Sequence, residues 1–363
     1  MQSGLWKASR LTAISVVMPA FNSARWLAST IASLAEAARR VEVPIELVVV
    51  DDGSTDDTLA VLDSIRGGFP GTLRVVSQKN LGRFRARLAG LEAASNDHIL
   101  LMDSRVLIEP HALGYLVRQS GRADAPTAWN GHVPTVDDAP LIGRFWEVPV
   151  QIFWRRYLRR PRPFDLTTET FDQAPKGTGL FFAPRDLLRD VFREAAPEGD
   201  AHLMSDDTRI LRAIAQRTPI RLDPGFAGWY RPRTTYRAFI SHTYQRGTLF
   251  VDSYAGTGTA RSAALLIAAA APGVVVAVIV GLLVSRRAGV AIGVGLAGVA
   301  LAALPSAVAL RLGVAPRAAL AYLLHLPSFV VPFWGGLVRG IVVHRRAFLR
   351  RNDAIDPRSQ ENS

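Results

Sequence analysis

Two stretches without a single charged residue, 263–284 and 288–310, constrain this chain more than any other feature. Each reaches the roughly 20 residues that a helix needs to cross the hydrocarbon core of a bilayer. Only Ser285, Arg286 and Arg287 separate them, enough for a tight hairpin. Two buried helices in a soluble core are the bland alternative, but adjacent charge-free runs of this length are rare in soluble domains, so a membrane module is expected. A third apolar run, 318–343, carries His325, Pro327, Pro332, Gly335, Gly336 and Arg339, which fits a kinked span or an interfacial or re-entrant segment. Arg339, Arg345, Arg346, Arg350 and Arg351 lie at the far end, and Arg231, Arg233, Arg237, Arg246 and Arg261 precede the first run. If both basic flanks stay in the cytoplasm, the number of full crossings is even. Two spans are therefore expected; Arg286 and Arg287 in the outer hairpin oppose a simple charge count and keep three open. The membrane module is drawn at 256–351 and a flexible polar tail at 352–363.

Residues 1–260 are mixed and charged, as a folded domain requires, and the large domain is drawn at 1–255. The first ten residues hold two basic side chains but lead into a strand-like run with no export-type apolar region and cleavage site, so the large domain is expected to stay in the cytoplasm. The absence of cysteine fits that compartment and excludes disulfides and thiolate metal sites. A net charge of +12 suits nucleic acid in principle. With a membrane module present, anionic phospholipids and a diphosphate-bearing substrate account for it, and no nucleic-acid partner is expected. The Ala- and Arg-rich composition suggests a high-GC, bacterial source and hence the inner (plasma) membrane.

Within the large domain, apolar strand-like runs at 14–18, 45–50, 73–77 and 98–102 alternate with helix-like segments at 22–38, 58–65 and 82–94. Strands this apolar, alternating with helices, predict a mostly parallel sheet flanked by helices, an α/β fold. Ligands bind such sheets at the carboxyl ends of the strands. That rule gathers three segments: 19–22, the acidic 51–57 and 103–105. Carboxylates collected in an otherwise Arg-rich domain are costly unless they bind a cation, a ribose or a base edge. Further on, 127–129 reads as an edge strand and 180–183 as a strand entered through Lys176-Gly177-Thr178-Gly179. Helices are expected at 113–118, 187–192 and 208–215. Asp206 and Asp207 stand just before the last; one carboxylate is explained as a helix cap, the second is not. In 143–160, Phe145, Trp146, Phe153, Trp154 and Tyr157 interleave with Arg155, Arg156, Arg159 and Arg160. That mixture suits a membrane interface or a flap over a lipid-linked acceptor, or else a core helix with a basic solvent face.

The segments Val16-Val17-Met18-Pro19-Ala20-Phe21-Asn22, Val48-Val49-Val50-Asp51-Asp52-Gly53-Ser54-Thr55-Asp56 and Leu100-Leu101-Met102-Asp103, in this order and spacing, resemble the family-2 inverting glycosyltransferases with the GT-A nucleotide-sugar-binding fold. The resemblance covers roughly residues 13–250. It implies that Pro19, Ala20 and Asn22 line the nucleotide and that Asp51 or Asp52 contacts base or ribose, while Thr55 and Asp56 cap the following helix. It also implies that Asp103 is the first acid of an Asp-x-Asp motif holding Mg²⁺ or Mn²⁺ on the donor phosphates.

Here the chain departs from the pattern, because the second acid is Arg105. Either Asp103 holds a cation with His242 or His202 and water, or Arg105 contacts the diphosphate itself. Gly177 then approaches the donor sugar and acceptor. Asp207, with Asp206 next, is the expected general base. The stretch His242-Thr243-Tyr244-Gln245-Arg246-Gly247 resembles, imperfectly, the Gln-x-x-Arg-Trp segment of membrane-bound members, and is expected as a loop placing Arg246 and His242 over the diphosphate.

The function implied is inverting transfer of a hexosyl or pentosyl group from a nucleotide-sugar donor to a hydroxyl of a lipid-linked or membrane-proximal envelope glycan. The alternative is synthesis of a polyprenyl-phosphate sugar, whose phosphate acceptor scarcely needs a base. A noncatalytic protein that retains the fold is a third reading.

Overall fold

The computed structural model describes residues 11–196 and 200–349; the expected tail 352–363, Arg350, Arg351 and the first ten residues lie outside the described residues. The chain forms two compact units, Met1–Arg233 and Thr234–Ser363. Composition placed the boundary at 255. The contact division falls after Arg233, and the helix that precedes the apolar runs packs on the last of them.

The N-terminal unit is a sheet of nine strands among the described residues: β1 Ile14–Ala20, β2 Ile45–Asp51, β3 Thr72–Ser77, β4 His98–Met102, β5 Val106–Ile108, β6 Ala128–His132, β7 Phe164–Leu166, β8 Leu180–Pro184 and β9 Ile220–Tyr230. Its helices are α1 Ala24–Ala38, α2 Thr58–Ile65, α3 Arg83–Ala93, α4 Ala112–Ser120, α5 Glu147–Phe153, α6 Arg155–Leu158, α7 Arg185–Glu194 and α8 Thr208–Ala215. The order is β3-β2-β1-β4-β8-β6-β9-β5, with β7 also paired to β9. β1, β2, β3 and β4 pair in parallel, and β6 with β9, whereas β4 with β8, β8 with β6, and β9 with β5 and β7 are antiparallel. The sheet is thus mixed rather than mostly parallel, and β6, expected at an edge, lies inside it. Apolar composition reports burial on both faces and does not distinguish the direction of the neighbouring strand.

Every residue of β1, β2 and β4 is buried, and alternation sends them to opposite cores. Val16, Met18, Leu100 and Met102 pack on the face that holds Leu27, Ile31 and Leu34 of α1, while Val17, Ile99 and Leu101 pack with Phe84, Leu187 and Ile210 on the other. The buried Glu46 of β2 is accommodated by hydrogen bonds from Ser15 Oγ, Ser95 N and Oγ, and Arg74 Nη1. Burial acts to raise its carboxyl, and these donors outweigh that and hold it below the usual range.

The C-terminal unit consists of α9 Tyr236–Tyr254, α10 Thr259–Val284, α11 Ala288–Arg311, α12 Pro316–Val343 and the short α13 Arg345–Leu349. Helices α10, α11 and α12 are each long and apolar enough to cross a membrane, so the chain associates with the bilayer through more than one helix. The third apolar run is a single element. It is one 28-residue helix containing Pro327 and Pro332, and prolines are tolerated in spanning helices whose neighbours and local adjustments satisfy the freed carbonyls.

Close packing of α9 on α12 depends on glycine. A Cβ on Gly336 would lie 2.0 Å from the Tyr244 carbonyl oxygen, one on Gly247 2.2 Å from the Phe333 oxygen, and one on Gly340 2.7 Å from Val251 Cγ2. Thr248 Oγ1 donates to Gly336 O across the same seam at 3.1 Å. Such small-residue seams let helix backbones approach in lipid. Gly336→Leu is therefore expected to lower the stability of this helix pair by about 1–3 kcal/mol through overpacking. Gly293→Leu, whose Cβ meets nothing within 4 Å on α11, is expected to be neutral. Thermal unfolding of both variants in the same detergent checks the difference.

Candidate active site

Strand order places a crevice before any residue role is considered. From β1 the chain moves outward through β2 and β3, then returns to place β4 on the opposite side of β1. The loops leaving β1 and β4 therefore diverge at a topological switch point, where ligands of open α/β sheets bind. Ser23 Oγ and Ser104 Oγ, 3.1 Å apart, join the two loops beneath that opening.

The loops after β1 and β2 hold each other. Asn22 adopts a left-handed conformation with φ 47°. Its N–H donates to Ser54 Oγ at 2.9 Å, and its Oδ1 accepts from Thr55 N at 2.8 Å. Its carboxamide oxygen thus shapes the rim of the crevice. Thr55, expected as a helix cap, is instead held by Asn22; Asp56 does meet the start of α2, accepting from Thr58 N at 3.0 Å. Gly53 has φ 73°, and a Cβ there would lie 2.7 Å from Asn80 N, so only glycine fits the turn.

The buried pair Asp51 and Asp52 divides its work. Asp52 commits both oxygens to the loop before α3, accepting from Gln78 Nε2 at 2.6 Å, Leu81 N at 2.9 Å and Gly82 N at 2.9 Å. Among the described residues the Asp51 carboxylate accepts only from Ser54 N, at 3.2 Å. Between the two, Asp51 retains an oxygen for a ligand.

Register brings the other expected segments together. β4 pairs with β8 so that Met102 lies opposite Leu180. The next residue, Asp103, then donates its N–H to Gly179 O at 2.9 Å, and a Cβ on Gly179 would stand 3.2 Å from Asp103 Oδ2. Gly177 donates its N–H to Asn130 Oδ1 at 3.0 Å, and its own open side faces Asp207 Oδ2. Asp103, Gly177 and Asp207 were named separately from the sequence and occupy one small region.

At its centre lies a charge network that the sequence reading missed. Arg83 and Arg87 stand one turn apart on α3. Arg87 is fully buried, and its Nη2 donates to Asp103 Oδ1 at 2.6 Å while its Nη1 donates to Asp206 Oδ2. Arg83 forks onto the same Asp206, with Nη2 2.7 Å from Oδ1 and Nε 2.7 Å from Oδ2. Arg87 further donates to Thr178 O at 3.3 Å. Asp206 is 2% exposed. Burial acts to raise its carboxyl, and the Arg83 and Arg87 guanidinium groups outweigh that, holding it below the usual carboxylate range. Asp206 in turn raises Arg83 above its ordinary value. The signal available was the i, i+4 spacing of two arginines in a predicted helix, which reads equally well as a solvated face.

Asp206 and Asp207, adjacent in sequence, thus have different surroundings. Asp206 is enclosed and neutralised. Asp207 stands half-buried at the N-terminus of α8 with its carboxylate toward Gly177. Beside it, Lys176 is enclosed by aromatic rings, with Nζ 4.4 Å from the Phe171 ring centre and 3.5 Å from Asp172 Oδ1. Burial pushes the Lys176 ammonium below its ordinary value, against the pull of Asp172 and Asp207.

A divalent ion does not fit the residues present. Among the described residues no group of three or more His, Cys, Asp or Glu is arranged to hold one. The inner oxygen of Asp103 is paired with Arg87, and the position of the second acid is Arg105. His202, offered as a ligand, has Nδ1 2.8 Å from Asp200 Oδ1 and Nε2 2.7 Å from Asn80 Oδ1. His242 and Arg246 belong to helix α9 of the C-terminal unit, not to a loop. Gly247 of the same stretch serves the α9–α12 seam.

Segment 143–160 buries part of its apolar face and exposes its basic one. Phe145, Val148 and Tyr157 are core residues, the four arginines are exposed, and Phe153 is 80% exposed. It forms the two short helices α5 and α6 rather than one amphipathic helix.

A mixed α/β sheet with nucleotide-type loops at its switch point and paired acids beside them defines the class of GT-A glycosyltransferase domains. Residues 15–186, within the N-terminal unit, match the family model described as Glycosyl transferase family 2. An uncharacterised glycosyltransferase of Nostoc is 29% identical over 136 residues, 36% of this chain and 41% of that protein. A chondroitin synthase of Pasteurella multocida is 30% identical over 110 residues, 30% of this chain and 11% of that protein. The chain spans less than half the length of these curated relatives. Among solved structures, a mannosyltransferase of Pyrobaculum calidifontis in complex with GDP-Man and Mn²⁺ is similar over 90% of this chain and 86% of that one, with a TM-score of 0.46 at 16% identity.

Proposed function

We propose that this protein is a membrane-bound inverting glycosyltransferase that moves a sugar from a nucleotide-sugar donor to a hydroxyl of a lipid-linked or membrane-proximal glycan. The observation that carries this reading is the division of labour between the two adjacent acids. An inverting transfer to a hydroxyl needs a carboxylate that is accessible and basic on the side opposite the leaving group. Asp207 has that exposure, while Asp206 anchors the arginines beneath it.

In the reaction, the acceptor oxygen attacks C1 of the donor sugar and its proton passes to the Asp207 carboxylate. The bond from C1 to the β-phosphate oxygen breaks with its electron pair, and a nucleoside diphosphate leaves. Pro19, Ala20, Asn22 and Asp51 form the nucleotide side of the crevice; Gly177 allows the reacting groups to approach Asp207 without a side chain between them. The basic residues of 155–160 and the exposed Phe153 suit an acceptor or anionic phospholipid at a membrane surface. The catalytic unit works on the cytoplasmic face of the plasma membrane, where nucleotide sugars are made.

Full-length protein in lipid nanodiscs, offered a panel of nucleotide sugars, is expected to release nucleoside diphosphate with a polyprenyl-diphosphate-linked sugar as acceptor. Turnover with bare polyprenyl phosphate that survives Asp207→Asn would instead establish synthesis of a polyprenyl-phosphate sugar.

A further inference from the structure

The donor diphosphate carries two or more negative charges that grow as the bond to C1 breaks, and something must neutralise them. The misfit of a divalent ion leaves that charge without its usual counter-ion. The same loop supplies another. We propose that Arg105, backed by Arg231 and the Trp26 ring, binds the diphosphate in place of a metal ion, so that transfer is independent of divalent cations. This rests on the reading of the N-terminal unit as a nucleotide-sugar transferase.

Arg105 follows Asp103 by two residues, on the β4 side of the switch point. Trp26 is in the first turn of α1, on the β1 side. The Arg105 guanidinium carbon lies 4.9 Å from the Trp26 ring centre and 5.8 Å from that of Tyr230; Arg231 lies 4.9 Å from the same Trp26 ring. With Arg25, 4.7 Å from it, three guanidinium groups thus share one indole. Neither Arg105 nor Arg231 forms an ion pair with a carboxylate among the described residues.

Their hydrogen bonding differs, and the difference assigns the ligand. Both terminal nitrogens of Arg231 are committed, Nη1 donating to Ser29 Oγ and Nη2 to Trp26 O and Thr30 Oγ1, and only its inner Nε is enclosed without a partner. Arg231 ties the end of β9 to α1. Among the described residues Arg105 donates only through Nε, to Arg231 O at 3.0 Å, and its terminal Nη2 is enclosed without a hydrogen-bond partner. A buried guanidinium with unmet donors costs free energy that a ligand recovers. Burial depresses both guanidinium groups below their ordinary value, Arg105 against the pull of Tyr230 and Asp103 and Arg231 with the repulsion of Arg105 added. The planar fork of arginine matches two phosphate oxygens, which a carboxylate at this position could reach only through a metal.

The test is binding of UDP, GDP, CDP and dTDP, with the corresponding monophosphates, to full-length protein in nanodiscs, by calorimetry in EDTA and then in Mn²⁺ or Mg²⁺. Wild type is expected to bind one diphosphate in EDTA, with no gain on adding metal. Arg105→Ala should weaken that diphosphate by about 10- to 100-fold, the equivalent of one charge-assisted hydrogen-bonded contact, and reduce its preference over the monophosphate. Arg105→Lys keeps the charge without the fork and should fall between; if the alanine variant does not fold, wild type against lysine decides. Binding that appears only with metal, or that Arg105→Ala or Arg105→Lys leaves unchanged, overturns the proposal while preserving the proposed function. Failure of every diphosphate to bind, with or without metal, overturns both.

Discussion

Asparagine in place of Asp207 is expected to lower the rate of sugar transfer by about 10²- to 10⁴-fold, the usual contribution of a positioned general base, with donor binding unchanged. Asp207 caps α8 in position but makes no side-chain hydrogen bond to the first-turn amides. Asparagine keeps the shape of the side chain, so a loss of rate with donor binding intact belongs to chemistry. Product formation under saturating donor gives the rate, and nucleotide binding to the same sample gives the control. A rate within a few-fold of wild type with a hydroxyl acceptor would remove Asp207 from the mechanism. A loss of binding in step with the rate would make it a donor contact instead.

Asp206→Ala is expected to act on the fold. It removes the carboxylate that receives Arg83 and Arg87, leaving a fully buried guanidinium paired only through Asp103. Breaking a buried pair by removing one partner costs about 3–5 kcal/mol, because the remaining charge is stranded. Thermal unfolding of full-length protein should show the N-terminal unit strongly destabilised.

The acid response carries the same sign. Because the folded-state carboxyl is held below its unfolded value, its contribution is present above the unfolded value, about 3.9 for Asp, and is lost as pH falls through the folded one. Wild type should lose stability below about pH 4 more steeply than Asp206→Asn, which has no carboxyl to protonate. Equal acid responses in the two proteins would show that this network does not contribute.

The order of elements was legible because it depends on local signals. The helices at 58–65 and 208–215 and the strand at 98–102 were read to the residue, since apolar periodicity and flanking turn residues specify them without reference to neighbours. The paired acids, Asp103 and the glycines before β8 were legible as a set for the same reason: motif residues keep fixed spacing in the chain. Strand direction was not, because β8 is as apolar as β1, and only its pairing reveals it as antiparallel to β4. β5 and β7, three residues each, are too short to show a period and exist only by pairing with β9.

Asp206 and Asp207 show the limit most plainly. Their sequence marked an acid pair before a helix and proposed chemistry for it. Which of the two is buried was decided by Arg83 and Arg87, more than a hundred residues earlier, whose cationic groups reach it only when α3 lies against β1 and β2. Sequence by itself determined that this chain carries apolar helices of bilayer length and an α/β domain with acids at its strand ends, because hydrophobic period, run length and turn chemistry are properties of neighbours along the chain. Tertiary structure alone decided which charges meet and which are left unmet, because an ion pair is a matter of distance and burial, and neither is fixed until distant segments pack.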